Sequence, residues 1–275
     1  MSWYPGHMKK SIDEMREKVK LVDMIVEIID ARIPLSTKNP LFDELTDNKA
    51  HLLLMSKNDL ADPNKTKEFL AYFNNKSKTI DVNMSKRSDI NRIFKEINFA
   101  KENILKNKRV EDMMLKIMVV GMPNVGKSTF LNAIKGKRSA KVGNTPGITK
   151  NLQWVGVDKD YMILDTPGLL MPSRRDERGI LNLKLLNSME ASDDPSELAI
   201  LLIDILKELY PGVLNKRYDI DEDSDRVSIL EAIAIRRGAI LKGREIDYTR
   251  AGEILLQDLR SGKLGRLTLE DIKDI

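Results

Sequence analysis

Two short stretches of this chain carry residue types that together could grip a nucleotide. Gly121-Met-Pro-Asn-Val-Gly126-Lys127-Ser128 has the spacing G-x-x-x-x-G-K-[ST]. In that spacing, backbone amides and the following helix N-terminus surround a β-phosphate. The lysine reaches the β/γ oxygens and the serine hydroxyl ligates Mg2+. Asn124, Val125, Gly126, Lys127, Ser128 and Thr129 are therefore expected at the phosphates, with the metal on Ser128. The second stretch is the apolar run HLLLM, residues 51–55, followed by Ser56-Lys57-Asn58-Asp59. A carboxylate accepts from the N1 and N2 hydrogens of guanine, whereas adenine presents no matching donor pair. Asp59 thus favours GTP over ATP, although Lys-Asn-Asp at a strand end can also be a solvated turn.

Asp165-Thr-Pro-Gly168 ends the run YMILD, where Asp165 can hold magnesium through water and the Gly168 amide can report a γ-phosphate. Between the phosphate loop and this sensor lies NTPGITK, residues 144–150. Thr149 is the candidate switch threonine and second magnesium ligand, with Thr145 as its rival and a Gly/Pro loop with incidental threonines as the plain alternative. The order of these motifs is unusual. The base reader precedes the phosphate loop, the reverse of an ordinary GTPase. A permuted strand order, beginning at the base-reading half and finishing at the γ-phosphate sensor, still puts every motif on the carboxyl edge of one sheet.

The elements needed for that arrangement are legible. MIVEIID (24–30), HLLLMS (51–56), TIDVNM (79–84) and LKIMVVG (115–121) are β-prone runs. Helical stretches separate the first of them, at 63–73 and at about 90–105, so βαβ units and a mostly parallel sheet are expected. NLQWVGV and YMILD form a hairpin about residues 158–160, and apolar spacing from Met8 to Val22 marks an amphipathic helix. After Ser173 the periodicity becomes helical, with helix starts at Asp194-Pro195 and Asp247 and a stop at Gly212. The expected fold is α/β: a P-loop domain over residues 1–174, followed by a small all-α domain over 175–275.

Composition narrows the chemistry further. The chain has 275 residues, 41% hydrophobic and 32% charged, which suffices for one full core and a smaller second domain. Its lack of cysteine excludes disulfides, thiolate metal sites and thiol catalysis. The net charge of +4 is mild, so a nucleic-acid footprint would need local clustering. No apolar run approaches membrane-spanning length, and a soluble cytoplasmic protein, monomeric and without membrane attachment, is expected.

WYPGHM, DARIPLSTKNP, SKND, GMPNVGKST, NTPGITKNLQW and DTPGLL, in this order, closely resemble the circularly permuted GTPases of the YlqF/RbgA ribosome-biogenesis type. The resemblance extends to YPGVLNKRY (210–218) and KLGRLTLE (263–270). It implies a GTPase that binds the large ribosomal subunit precursor and its ribosomal RNA, cycles between GTP and GDP, and promotes late assembly. A nucleotide-gated RNA-binding protein with no important turnover is the alternative. Leu169 and Leu170 stand where Ras-like proteins place a water-orienting glutamine, and the resemblance points instead to His7 as the catalytic residue. Asn124 resembles the asparagine that binds K+ in cation-activated GTPases, although many GTPases carry it without needing K+, and Met84 aligns with the second base loop. Ser56 replaces the usual asparagine, removing an amide that bonds the base and ties the two loops together.

The sensor loop runs almost directly into the helical part, where basic residues cluster. Arg236, Arg237, Lys242 and Arg244 form one group, and Arg260, Lys263 and Arg266 another. Solvated helix faces are the bland reading for each residue alone. Two clusters next to a γ-phosphate sensor favour ribosomal RNA phosphates, with the first group as the expected contact.

Overall fold

The structure, a computed structural model, describes residues 13, 16–40, 42, 43, 49–138, 153–157, 159–165, 177–190 and 192–274. Six strands form one sheet: β1 Met24–Asp30, β2 Ala50–Ser56, β3 Lys78–Val82, β4 Leu115–Gly121, β5 Gln153–Gly156 and β6 Tyr161–Asp165. Their order is β3-β2-β1-β4-β6-β5, parallel throughout except for the antiparallel β5–β6 pair. The chain therefore winds outward from β1 in one direction, returns to the centre at β4, and winds out in the other. The crevice beyond the carboxyl ends of β1 and β4 is the switch point, where open α/β sheets bind ligands.

β1 is buried along its whole length, as an interior parallel strand covered on both faces must be. On one face Met24, Val26, Ile28, Leu52, Leu54 and Val119 pack with Ile93 and Phe94 of helix α3 (Arg87–Lys108) and Phe130 and Ile134 of helix α4 (Lys127–Arg138). On the other, Ile29, Leu53 and Met55 meet Phe69 and Phe73 of α2 (Pro63–Asn74). A short helix α1, Pro34–Thr37, follows β1 and has no periodic signal because it is a single turn. α3 runs on to Lys108, past the expected end at about 105. Arg109 closes it in the left-handed region, its amide bonded to the Leu105 and Lys106 carbonyls. Of the amphipathic helix expected over 8–22, residues 16–19 are helical and most of the remainder lies outside the described residues.

The helical part comprises α5 Glu177–Leu185, α6 Pro195–Leu209, α7 Val213–Tyr218, α8 Arg226–Arg237 and α9 Tyr248–Arg260. Asp194 and Asp247 cap α6 and α9 as their positions predict, and Asp225 caps α8. α6 ends at Leu209, and Gly212 stands at the left-handed entry to α7. α6 and α9 touch closely: a Cβ on Gly252 would lie 2.4 Å from the Pro195 carbonyl oxygen. Leu183, Leu198, Leu202 and Leu255 belong to the same contiguous apolar cluster as the β1 and β4 side chains. No helix among the described residues is long and apolar enough to cross a membrane.

Candidate functional site

The phosphate loop begins where β4 stops. Gly121 pairs with Ile28 in the parallel ladder and has φ +151, and a Cβ there would sit 2.4 Å from the Ile28 carbonyl oxygen. Only glycine fits that approach. Gly126, at φ +109, opens α4, so the amides of Lys127 and Ser128 stand at a helix N-terminus. Lys127 donates to the carbonyls of Gly121 (2.9 Å) and Met122 (2.8 Å). Desolvation pulls its ammonium down to about 8, and the Asp165 carboxylate on the neighbouring strand opposes part of that shift. Ser128 and Thr129 are exposed beside it.

The base-reading loop leaves β2 at Ser56, and two side chains bind it to the phosphate loop. The buried Ser56 hydroxyl lies 2.8 Å from the Ile29 carbonyl and 2.6 Å from the Val125 carbonyl, and donates its single proton between them. The loop tie expected to vanish with asparagine is therefore kept by serine; what serine lacks is reach toward the base. Lys57, at φ +59, spans from the Asp30 carboxylate (2.8 Å) to the Asn124 carbonyl (2.7 Å). Val125 packs beneath, fully buried.

Asp30 is the anchor of this arrangement. It ends β1 fully buried, and its two oxygens accept from the Arg32 amide and Nε (both 3.0 Å), from Arg32 Nη2 (2.8 Å) and from Lys57. Burial alone would raise its carboxyl, but the Arg32 and Lys57 cations outweigh that and hold it well below the usual carboxylate range. A fork-on-fork guanidinium pair with an added ammonium is the geometry that repays desolvation. Neither Asp30 nor Arg32 is assigned a role by the motif spacing. The signal available was an acidic and a basic residue two apart at the end of an apolar run, in the segment DARIPLST.

Asn58 donates to the Asp81 carboxylate (2.8 Å) at the end of β3. Asp59 is exposed and makes no hydrogen bond or ion pair among the described residues. Its carboxylate is therefore available to a ligand beside the phosphate loop. Met84, expected in the base pocket, is buried in the apolar core. Asn124 stands at φ +58 and its amide nitrogen donates to the Asn187 carbonyl of the helical part, which leaves Oδ1 as its acceptor. Asp165 ends β6 in register with Val119 of β4. His7, Thr145, Thr149 and Gly168 lie outside the described residues.

The basic clusters do not all face solvent. Arg236 pairs with the exposed Asp219 (2.8 Å), and Arg237 lies over the Tyr218 ring, 3.8 Å from the buried Asp258. Asp258 also receives Arg217 (2.8 Å) and stands 3.5 Å from Lys263. Arg260 donates to the Leu185 and Lys184 carbonyls, and Arg266 to those of Asn58 and Ala61. Lys242 and Arg244 differ. They occupy the tip of a hairpin closed by the Ile240–Ile246 bridge, exposed and without side-chain partners among the described residues.

A model of the 50S ribosome-binding GTPase family matches residues 116–234. Ribosome biogenesis GTPase A of Bacillus pumilus is 39% identical over 276 residues, spanning 98% of this chain and 98% of its own. The protein of that name in Thermotoga maritima is 31% identical over 277 residues, spanning 100% of this chain and 96% of its own. Among solved structures, GNP-bound YlqF from T. maritima matches with a TM-score of 0.69 at 25% identity, covering 97% of this chain and 100% of that one.

Proposed function

We propose, from the premise that this chain belongs to the ribosome biogenesis GTPase A family of circularly permuted GTPases, that it binds the maturing large ribosomal subunit and promotes its late assembly, hydrolysing GTP to GDP and phosphate. The observation that supports this most directly is Lys57, whose ammonium joins the carboxylate of the base-reading half to a carbonyl of the phosphate loop. It makes one site of two motifs that the chain order separates. In this reading Asp59 accepts from guanine, while the amides of residues 124–128 and the Lys127 ammonium hold the phosphates. Asp165 and the Gly168 amide sense the γ-phosphate.

GTPases of this kind work with Mg2+, and the residues here suit it. Ser128 offers a hydroxyl at the start of α4 and Asp165 a carboxylate on the adjacent strand, while no cluster of three or more His, Asp or Glu occurs among the described residues. That donor set fits an ion completed by phosphate oxygens and water rather than an all-protein cage. Thr149 is proposed as the further ligand. The ion would neutralise charge on the β- and γ-oxygens. For Asn124, the acceptor left by its bond to Asn187 suits a monovalent cation, and K+ is proposed there. Exchanging K+ for Na+ is then expected to slow hydrolysis in a steady-state phosphate-release assay. Equal rates in the two salts would remove the cation from Asn124.

Residues 1–174 are proposed as the nucleotide-handling unit and 175–275 as the ribosome-docking unit, with contacts to ribosomal RNA phosphates from the Lys242–Arg244 tip. Arg236 and Arg237 add to the local field but are already paired with carboxylates. The test is hydrolysis and binding with large-subunit particles. Particles should raise turnover by a factor on the order of 10² or more, and the GTP form should bind more tightly than the GDP form. Replacing Lys242 and Arg244 together by glutamine should lower the salt slope of particle binding by about 2 while sparing GTP affinity. Unstimulated turnover would return the protein to a nucleotide-gated binder, and an unchanged slope would move the RNA contact elsewhere.

A further inference from the structure

Residues 266–270 leave the end of the helical part and cross back over the carboxyl edge of the sheet. Arg266 donates through Nε to the Ala61 carbonyl (2.9 Å) and through Nη2 to the Asn58 carbonyl (2.7 Å). The Leu267 amide donates to the Leu60 carbonyl (2.9 Å). Thr268 Oγ1 accepts from the Asp62 amide (3.1 Å) and lies 3.2 Å from the Ala31 carbonyl, while the Leu269 amide donates to Arg32 O (2.8 Å). Glu270, buried, accepts from the Leu35 and Ser36 amides at α1. The segment thus takes the carbonyls on both sides of Asp59 in the chain and leaves the Asp59 side chain untouched.

The loop needs such a brace. Lys57 holds a left-handed conformation uncommon for a residue with a side chain, and within the loop only the bond from the Leu60 amide to the Lys57 carbonyl (2.9 Å) closes the turn. Reading a base by two hydrogens requires the carboxylate to stay within roughly 0.5 Å of its productive position. Arg266 is the side chain suited to that task, because its planar fork takes two carbonyls of the loop at once and loses little freedom in doing so. The loop is also packed from the same side: a Cβ on Gly262 would meet Leu60 Cδ2 at 2.7 Å.

We propose that Arg266 is a positioning residue for guanine selectivity, holding the Asn58–Ala61 carbonyls so that Asp59 meets the base in register. The inference rests on Asp59 as the base reader. Its test is the ratio of dissociation constants for IDP and GDP on the full chain with Mg2+, since IDP lacks only the 2-amino group. Arg266→Ala should lower that ratio by about threefold to tenfold, and Arg266→Lys, which keeps charge without the fork, by less. A residue that merely fastened the segment would weaken both nucleotides alike or lower the unfolding midpoint with the ratio intact, and that result overturns the proposal. Should Arg266→Ala not fold, Arg266→Lys and Thr268→Val decide: unchanged ratios in both overturn it. Asp59→Asn measured alongside separates the two ideas. If it collapses the ratio and the Arg266 variants do not, only the bracing role fails; if it too leaves the ratio unchanged, the base-reading assignment fails and takes the bracing role with it.

Discussion

Asp59→Asn is expected to weaken GTP binding by about 2–4 kcal/mol and to improve xanthosine triphosphate, whose base presents an acceptor where guanine has an amine. The effect is large because one substitution turns one of two aligned acceptors into an amide donor set against a base donor. It should also be specific. Asp59 is exposed and has no partner among the described residues, so the variant leaves no buried group unpaired. The contacts that organise the pocket, from Ser56 and Lys57 to the Val125 and Asn124 carbonyls, belong to its neighbours. Titration of both nucleotides by fluorescence or calorimetry reads the switch, and unchanged GTP affinity would remove Asp59 from the base.

His7→Ala should lower particle-stimulated turnover by roughly 10²–10⁴, the scale of a positioned acid, base or water-orienting group, with GTP affinity nearly unchanged. It is the resemblance to the circularly permuted GTPases that points to His7. The chain has two histidines, and Leu169 and Leu170 occupy the position of a glutamine. His51 lies near the start of β2, in register with Ile25, with Nε2 3.3 Å from the buried Glu27. It is at the amino edge of the sheet, while both nucleotide motifs stand at the carboxyl edge. His51 is thus placed away from the nucleotide motifs, and the role proposed for His7 rests on the family resemblance. Single-turnover hydrolysis with saturating particles decides the matter, and full activity in the variant would make His7 a turn residue. The same measurement with Lys127→Ala provides the contrast, since there nucleotide binding itself should fail.

Much of this was legible in the chain because the signals are local. β1, β2, β4 and β6 are apolar runs of the right length, and the motifs end three of them, so the permuted order follows from the order of SKND, GMPNVGKS and DTPG. Charge is different. Arg260 and Arg266 look in the sequence like solvent-facing cations, yet both donate to backbone carbonyls of segments far away, Arg266 across 205 and 208 residues. Residues 266–270 place Leu267 and Leu269 in the core, but their contacts with the base loop run through backbone groups and a fork of N–H donors, which no apolar spacing announces. Ser56 is a further case. Its loss of an amide was visible, but its retained hold on Val125 depends on how near the two loops come, which no spacing along the chain states.

The crossing of residues 266–270 over the base loop bears on how the molecule is made. β1, β2 and the Asp59 loop are synthesised before this segment, and the carbonyls of Ala31, Asn58 and Ala61 find their partners 237, 208 and 205 residues later. At about 5–20 residues per second that interval is on the order of 10–40 s. Closing contacts of such long separation is also the slow part of folding. A nascent chain therefore displays its phosphate loop and the proposed base-reading aspartate well before the brace proposed to align it. The proposed guanine pocket is thus completed long after the residues that would read the base have been translated.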